Sequence, residues 1–292
     1  MEHEPLSGRD LLAFVTAVET ASVHGAGDAL GLTQSAVSKR IQALERRTGA
    51  TLLQRGRLGV RPTQAGRALY PDAKHALVAL EQAARAVGAD STGLRLAASH
   101  TIGEFLLPGW LAAFRAGEPL PIQMDVVNSP GVIDEVRDGR AEIGFVEGVA
   151  SLAGFDVQAL MHDELVVVVG SEHPWARRSS VDRRRLTREP YLTRERDSGT
   201  RAVAAAALAR HGVTLEPALE TPSIQGLKRA VLSGGFTVLS RLAVQAETEA
   251  GSLRALPVRG IDMGRELRAI RRQAEPLPDP ARRLWSWLHA LG

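Results

Sequence analysis

The sequence predicts a mainly α-helical N-terminal region, one long helix and a C-terminal α/β domain. Apolar residues recur at helical spacing through the first 88 residues, and capping residues and glycines mark the helix ends. Short apolar runs then alternate with helical stretches over the remaining 204 residues, a pattern typical of sheets covered by helices. The absence of cysteine excludes disulfide frameworks, thiolate zinc sites and thiol nucleophiles.

The net charge of +3 is concentrated in one short segment. Residues 1–88 hold 11 Lys and Arg against 8 Asp and Glu, whereas the remaining residues hold 25 of each. Between residues 39 and 67, eight basic residues stand against Glu45 alone, a local balance of +7. This segment is either an ordinary solvated face or the footprint of a polyanion. A membrane surface is disfavoured, because the segment lacks the aromatic, amphipathic face of an interfacial helix.

Three short helices are predicted before residue 50. Ser7 and Asp10 are spaced as a capping box at the start of the first helix, in which each side chain accepts from the other's backbone amide. Gly31 breaks the second helix, Thr33 caps the third, and Gly49 ends the third. Two short helices joined by such a tight turn form a helix-turn-helix.

The third helix carries polar and basic residues on the face opposite its apolar stripe. Gln34 can read adenine through both atoms of its amide, and Lys39 or Arg40 can contact guanine or phosphate. A following segment, with three arginines around glycines, predicts a small β-hairpin wing beside the minor groove or the backbone. The residues expected to contact double-stranded DNA are Thr33, Gln34, Ser35, Ser38, Lys39, Arg40, Gln42, Arg55, Arg57 and Arg61.

This region resembles the winged helix-turn-helix of LysR-type transcriptional regulators over one contiguous stretch. The stretch begins S-V-H-G-A-G-D-A-L-G-L-T-Q-S-A-V-S-K-R and ends R-P-T-Q-A-G-R. Gly25 and Gly27 replace the helix formers that the family prefers in its second helix, and Leu53 stands where Phe is common. The resemblance implies a winged helix-turn-helix at residues 1–62, binding to an interrupted palindrome as a dimer or tetramer, and control by a small effector. RNA polymerase is a further partner that it allows.

A long linker helix is predicted at residues 63–90, which end in a glycine-bearing hinge. Its apolar residues follow a heptad period through residues 69, 73, 76, 80, 83 and 87. The period fits either the core stripe of a globular helix or a dimerisation seam, and the LysR resemblance favours the pairing of two linker helices. Pro71 predicts a bend or a delayed helix start near Tyr70.

Residues 91–292 form the predicted effector domain. Strands are expected at residues 94–98, 122–127, 143–146, 165–169, 236–239 and 267–270, and helices at 102–114, 133–138 and 201–211. The alternation predicts mainly parallel sheets with helices on both faces. The LysR resemblance implies two Rossmann-like subdomains of the periplasmic-binding-protein type, at residues 91–162 with 267–292 and at 163–266. We expect the two crossovers near residues 162–164 and 265–267.

Polar segments follow several of these strands and open helices, where small ligands bind in such sheets. Each segment is either a simple helix cap or part of one effector cleft. Hydroxyl groups, helix-end amides and Arg201 favour a carboxylate, sulfate or phosphate ligand. The stretch E-R-D-S-G-T-R resembles E-x-G-S-G-T-R of one branch of the family, with Asp197 in place of the glycine. The residues expected to bind the effector are Ser99, His100, Thr101, Asn128, Ser129, Glu147, Ser198, Gly199, Thr200, Arg201 and Ser223.

Three other functions are alternatives to a ligand-controlled regulator. A metabolic enzyme is disfavoured, because the sequence has no G-x-S-x-G, no Walker loop and no H-E-x-x-H, and its eight histidines are scattered. A solute-binding transport subunit would lack the DNA-binding segment and carry an export signal, which the first ten residues do not resemble. A DNA-binding protein without a ligand is the third alternative. We therefore expect a cytoplasmic regulator that is not an enzyme, spans no membrane and needs no metal or cofactor other than its effector.

Overall fold

The computed structural model describes residues 6–56, 59–87, 93–117, 119–148, 151–273 and 275–290, except for the side chains of residues 55, 81, 82 and 84–87. The chain divides into two units, Met1–Ser91 and Thr92–Gly292. Across the described ranges, no helix combines the length and the apolar character that are needed to cross a membrane.

Three short helices and a two-stranded hairpin begin the first unit. The elements are α1 (Gly8–Glu19), α2 (Val23–Leu30), α3 (Gln34–Thr48), β1 (Leu53–Gly56) and β2 (Gly59–Pro62). Val37, Ile41 and Leu44 form the buried stripe of α3. This stripe packs against apolar residues of α1 and α2, which confirms the predicted helix-turn-helix and leaves the opposite face of α3 free of core contacts.

Side-chain caps begin α2 and α3, and the glycines Gly31 and Gly49 end them. The Ser22 hydroxyl accepts a hydrogen bond from the backbone amide of Gly25 (3.1 Å), and the Thr33 hydroxyl accepts one from that of Ala36 (3.2 Å). These bonds satisfy amides that have no partner within the helix. Gly31 ends α2 with a φ of 63°, a left-handed conformation that L side chains rarely adopt.

The predicted capping box at the start of α1 is wrong. Ser7 occupies the position before the helix, but its side chain makes no capping hydrogen bond. The buried carboxylate of Asp10 instead lies 2.7 Å from Nη1 of Arg47 in the last turn of α3. Because both groups are charged, this bond is stronger than the neutral alternatives that a serine cap offers, and it ties α1 to α3.

Two close contacts fix the wing hairpin formed by β1 and β2. Oε1 of Glu45 accepts from the backbone amide of Leu52 at 2.8 Å, which joins α3 to the start of the wing. At the other strand, the amide of Val60 donates to the carbonyl of Ala21 (2.9 Å). A Cβ on Gly59 would lie only 2.2 Å from that same carbonyl oxygen, so the wing approaches the α1–α2 turn where only glycine fits.

One long helix, α4 (Gln64–Val87), follows the wing. Its 24 residues correspond to a length of about 36 Å. Thr63 caps it by accepting from the backbone amide of Gly66 at 3.0 Å. The helix continues through Pro71, so the expectation of a delayed start near Tyr70 is wrong; the cap at Thr63 already starts the helix, and the proline removes only one internal hydrogen bond.

The heptad residues of α4 divide into a buried and an exposed set. Ala73 is buried against the core of the first unit, whereas Leu80 and Ala83 are exposed. The hinge is predicted at residues 88–93, of which residues 88–92 lie outside the described residues.

The second unit is built on a seven-stranded mixed sheet and a separate two-stranded sheet. Its strands are β3 (Leu94–Ser99), β4 (Ile122–Val127), β5 (Ile143–Glu147), β6 (Phe155–Gly170), β7 (Tyr191–Thr193), β8 (Pro217–Glu220), β9 (Thr237–Ser240), β10 (Leu253–Leu256) and β11 (Gly264–Arg272). Its helices are α5 (His100–Phe105), α6 (Leu107–Gly117), α7 (Ser129–Arg137), α8 (Arg183–Leu186), α9 (Gly199–Ala209), α10 (Ile224–Ala230), α11 (Gln245–Glu249) and α12 (Asp279–His289).

The expectation of mainly parallel sheets is wrong. β3 pairs in parallel with β4 and β5, and β7 pairs in parallel with β8. However, β11 runs antiparallel to β5 and β6, and β6 runs antiparallel to β9 and β10. The reason is that β6 and β11 carry the chain between the two halves of this unit in opposite directions, which places antiparallel strands beside the parallel ones.

β6 contributes to three hydrophobic cores, one through its first part and two through its second part, in which Val166 and Val168 face the third core. Its first part, through Glu164, pairs with β11, and its second part, from Leu165, pairs with β9 and β10. Leu160 packs in a core with residues of β3, β5, α6 and α12, whereas Leu165 packs in a core with residues of α9 and β9. The strand therefore leaves the core that contains Leu160 between Glu164 and Leu165, where its second part begins.

The helix predicted at residues 102–114 is two helices. α5 ends at Phe105, and α6 begins at Leu107. Pro108 has no amide hydrogen to donate to the carbonyl of Glu104, so the helical bonding pattern is interrupted at this point. The chain changes direction at this break. The residues that directly follow β3 belong to the candidate site described below.

Candidate functional site

The exposed face of α3 is the first candidate site. Thr33, Gln34, Ser35, Lys39 and Gln42 are exposed, and Ser38 and Arg40 are half-buried. Within the described ranges, the side chains of Gln34, Lys39 and Arg40 make no hydrogen bond or ion pair with the rest of the chain. Their donors and acceptors therefore remain available to a partner.

The start of α3 presents hydroxyl groups next to free backbone amides. The hydroxyls of Thr33 and Ser35 lie 3.0 Å apart, and Thr33 also caps the helix. The first turn of a helix carries partial positive charge, because its amides have no internal partner. This end of α3 is consequently suited to a phosphate group.

Of the three arginines predicted for the wing, the structure describes Arg61 in full and Arg55 by its backbone alone. Arg61 is exposed on β2 and pairs across the hairpin with Gln54. The backbone of Arg55 lies in β1, but its side chain is not described. Arg57 lies outside the described residues.

A buried polar cluster in the second unit is the other candidate site. Oε2 of Glu147, at the end of β5, accepts a short hydrogen bond from the hydroxyl of Ser99 at the end of β3. Oε1 of Glu147 accepts from the hydroxyls of Thr101 (3.0 Å) and Thr200 (3.5 Å). All four side chains are at most 5% exposed. Four of the residues that the sequence predicted for the effector site thus meet at one point.

Arg265 and Asp163 complete this cluster, and sequence reasoning missed both as site residues. Nε of Arg265 donates to Oδ2 of Asp163 at 2.8 Å, and Nη1 lies 3.4 Å from Oε1 of Glu147. The hydroxyl of Ser240 donates to Oδ1 of Asp163 at 2.7 Å. Arg265 and Asp163 occupy the two segments where the sequence predicted crossovers, which was the one available signal that they would lie near the cleft.

Two threonines relay hydrogen bonds from Arg265 to Glu147. Nη1 of Arg265 donates to the hydroxyl of Thr200 (3.0 Å), and Nη2 donates to that of Thr101 (3.1 Å). A guanidinium can only donate and an ionised carboxylate can only accept. Each threonine therefore accepts from Arg265 and donates to Glu147, so the direction of both relays is fixed.

The backbone of Glu147 is held as firmly as its side chain. The hydroxyl of Ser129, the first residue of α7, donates to the Glu147 carbonyl at 2.9 Å. A Cβ on Gly199 would lie 2.6 Å from the same carbonyl oxygen, so the start of α9 packs directly on the end of β5. Ser198 caps α9 by accepting from the amide of Arg201 at 3.4 Å. Ser129, Ser198 and Gly199 therefore border the cluster as structural residues.

The remaining predicted effector residues have hydrogen-bond partners outside the cluster. Arg201 donates to Oε2 of Glu220 (2.7 Å) and to the carbonyl of Arg194, and the hydrogen bond from Arg201 lowers the pKa of Glu220. Nδ1 of His100 lies 3.1 Å from Oε1 of Glu104 on the same helix. Asn128 and Ser223 cap α7 and α10, each accepting from a glycine amide at 2.9 Å. The cation in the cluster is thus Arg265, and not the predicted Arg201.

The charges in the buried cluster do not balance. Arg265 supplies one positive charge, whereas Glu147 and Asp163 supply two negative charges, and all three are 5% exposed. Burial of such charges is costly unless each is paired and hydrogen-bonded. The four hydroxyl donors around the two carboxylates reduce that cost, because they take the place of water.

Comparisons with known proteins assign both units of the chain to one family. Residues 9–67 match "Bacterial regulatory helix-turn-helix protein, lysR family", and residues 88–292 match "LysR substrate binding domain". An uncharacterized HTH-type transcriptional regulator of Mycobacterium tuberculosis is 36% identical over 273 residues, which cover 88% of each chain.

Two solved structures share the fold at lower sequence identity. Full-length CbnR complexed with its target DNA has a TM-score of 0.67 and 17% identity, covering 97% of this chain and 99% of that chain. The regulatory domain of CcmR from Synechocystis PCC6803, in complex with 2-PG, has a TM-score of 0.63 and 24% identity, covering 68% of this chain and 96% of that chain.

Proposed function

The chain belongs to the LysR family of DNA-binding transcriptional regulators, and on that premise we propose that α3 and the wing read a DNA sequence under the control of a small effector held at the buried cluster. The observation that carries the DNA-binding part is the exposed face of α3. The side chains of Gln34, Lys39 and Arg40 have no competing partners among the described residues, which is what base and phosphate contacts require.

Substitution of Gln34 by alanine tests this assignment of the recognition face. We expect Q34A to bind DNA with relaxed base preference, losing about 1–3 kcal/mol of discrimination at one position, because the bidentate contact is removed. The measurement is the selection of bound sequences from a random duplex pool, with the wild type in parallel. The variant E249A, on an exposed turn of the second unit, serves as the control. An unchanged consensus for Q34A would contradict the assignment.

We further propose that the effector is a small anion that replaces the Glu147 carboxylate at the cluster. The hydroxyls of Ser99, Thr101 and Thr200 and the guanidinium of Arg265 are the donor set that a carboxylate, sulfate or phosphate group needs. Glu147 engages these donors in the structure described above. An anionic ligand would therefore compete with an internal carboxylate for the same hydrogen bonds.

A thermal-shift assay with sulfate, phosphate, acetate and other small anions tests the effector site. At a concentration of 100 times its Kd, a bound anion stabilises the wild type by about 2.7 kcal/mol. We expect T101V to lose this response, relative to its own unliganded midpoint, while it keeps its DNA binding. T248V, which alters an exposed threonine on α11, should respond as the wild type does. A T101V protein that still responds would exclude the cluster as the binding site.

The proposed assembly is a dimer formed through α4, which can pair further into a tetramer. Leu6, Leu12 and Leu80 are exposed large apolar residues of the first unit, at 41%, 39% and 53%. Cδ1 of Leu80 comes within 2.6 Å of the position of a Cβ on Gly8, one turn before Leu12 on α1. The exposed leucines of α1 and α4 therefore form an apolar surface suited to a second copy.

The same proposal places the protein in the cytoplasm and gives it no catalytic step. DNA and RNA polymerase, the partners that a transcriptional regulator requires, are both found there. The buried cluster contains groups that bind and orient a ligand, and its charged members are already engaged in hydrogen bonds with each other. We accordingly assign the protein as a regulator and not as an enzyme.

A further inference from the structure

A second basic surface lies in the C-terminal unit, far along the chain from the helix-turn-helix. Residues 177–188 contain six arginines and only one carboxylate, Asp182. Arg259 is hydrogen-bonded beside this segment, since its amide donates to the carbonyl of Val181 at 2.9 Å. All seven arginines are exposed. We call the six arginines of residues 177–188 together with Arg259 the arginine patch.

The backbone that carries the arginine patch is held firmly in place. Trp175, Val181 and Leu186 are at most 3% exposed and pack into the core around α9 and β9. Val181 also forms a parallel β-bridge with Val258. Because these apolar residues point inward between the arginines, the arginines are presented outward from a fixed scaffold.

Three arginines of the patch lie near the carboxylate of Asp182. Asp182 caps α8, and the hydrogen bond from the Arg184 amide lowers the pKa of this carboxyl, as do the charges of Arg184, Arg259 and Arg183. These three guanidinium groups therefore surround one carboxylate. In the described part of the chain, none of the seven arginines forms an ion pair. The patch keeps a surplus of six positive charges.

The composition of this surface favours nucleic acid over an acidic protein. Protein interfaces have an apolar or aromatic centre, whereas interfaces with DNA are more polar and far more positively charged. None of the exposed large apolar residues among the described residues lies in or beside the patch, where the exposed neighbours of the arginines include Ser179 and Thr187. Arginine, moreover, matches the geometry of phosphate through two parallel hydrogen bonds.

We propose that the arginine patch binds the phosphate backbone of double-stranded DNA without regard to sequence. The inference rests on the proposed DNA binding by α3 and extends it to a contact made by the effector domain. Such a contact adds affinity that depends on salt and on the length of the duplex, but not on the bases.

The test compares full-length variants on one fluorescent 60-base-pair duplex of random sequence over a series of salt concentrations. We expect R183Q/R184Q/R185Q to lower the slope of log K against log salt by about 2.7, because three phosphate contacts are lost. The control R137Q/R282Q/R283Q removes the same charge from arginines that are paired with Asp134 and Asp279, and should keep the wild-type slope. Both triple variants change exposed residues, so their thermal midpoints should match the wild type.

The variant K39Q/R40Q separates failure of this inference from failure of the proposed function. If K39Q/R40Q binds the duplex as the wild type does, the DNA-binding role of α3 is wrong. If R183Q/R184Q/R185Q keeps the wild-type slope while K39Q/R40Q loses affinity, the patch does not bind DNA and an acidic protein is its partner. A slope that falls equally in the patch and control variants would show a general charge effect, and would overturn the proposal as well.

Discussion

At the scale of single residues, Arg265 is the side chain on which the buried cluster depends. It is 5% exposed and contacts Asp163, Glu147 and two threonines from both halves of the second unit. Removal of one partner from a buried ion pair leaves the other charge without compensation. The two carboxylates of this cluster would both be left without their cation.

We expect R265M to lower the free energy of unfolding by about 3–5 kcal/mol, measured by urea denaturation at neutral pH. The control is R241Q, which removes an arginine paired with Glu164 while both side chains are about half exposed. Because water solvates that pair, R241Q should change stability by no more than about 0.5 kcal/mol. If the two variants lost equal free energy of unfolding, burial of the cluster would make no contribution to the cost of removing Arg265.

Glu147 and the hydroxyl residues around it could be predicted from the sequence, but Arg265 and Asp163 could not. Ser99, Thr101 and Thr200 each follow a strand or open a helix, and these positions are set by local sequence. Arg265 and Asp163 are 102 residues apart, so their contact depends on how β6 and β11 pair. Arg201 lies at the start of α9 as expected. Its side chain, however, donates a hydrogen bond to Glu220, which is 19 residues away in the sequence.

At the scale of whole elements, a glycine in α4 shows how two segments are brought together. Gly66 is the third residue of α4, and a Cβ there would lie 2.1 Å from the carbonyl oxygen of Leu52. Gly109 is the third residue of α6, is exposed, and would meet nothing within 4 Å. Both glycines are the third residue of a helix, so the two positions differ mainly in the atoms that surround them.

We expect G66A to destabilise the protein by about 1–3 kcal/mol, because the start of α4 must move away from Leu52. G109A should instead stabilise it by up to about 1 kcal/mol, since alanine is the better helix former. Thermal unfolding of the two variants beside the wild type measures both effects. A stabilising G66A would mean that α4 does not pack on the chain before the wing as the structure shows.

Elements with a regular apolar pattern or a cap could be predicted, whereas short or polar elements could not. The three helices of the helix-turn-helix and the strand at residues 122–127 have the predicted positions. β7 and β8 are three and four residues long, and β8 is exposed throughout, so neither has a periodic signal. Only the apolar end of β6 was expected, because His162, Asp163 and Glu164 interrupt the apolar pattern directly before it.

At the scale of the whole molecule, the net charge of the C-terminal residues does not reveal the second basic surface. The 204 residues after residue 88 hold equal numbers of acidic and basic side chains, and this balance suggested that only the N-terminal region would meet a polyanion. The structure shows that many of the acidic residues there are paired with arginines outside the patch, for example Glu142 with Arg95 and Asp156 with Arg271. The arginines of the patch are among those that form no such pair in the described part of the chain.

The dimer proposed above depends on the apolar surface of α1 and α4. We expect L80E to reduce the mass in solution to that of one chain, because a charge replaces a 53% exposed leucine at the proposed interface. Light scattering after size-exclusion chromatography measures it. L232E alters a leucine of similar exposure, 55%, in the other unit, and should leave at least the dimer. A dimeric L80E would move the interface away from α4.

The position of β11 between β5 and β6 has a consequence for synthesis of the protein. Both neighbours are made first, and the end of β11 emerges roughly 100 residues after the end of β6, or roughly 5–20 s at the usual rate of translation. During that interval the nascent chain has a gap in the middle of its largest sheet, flanked by two unpaired strand edges that invite aggregation. The yield of folded protein is therefore set in part by the speed of the ribosome over residues 171–272, and not only by the stability of the finished fold.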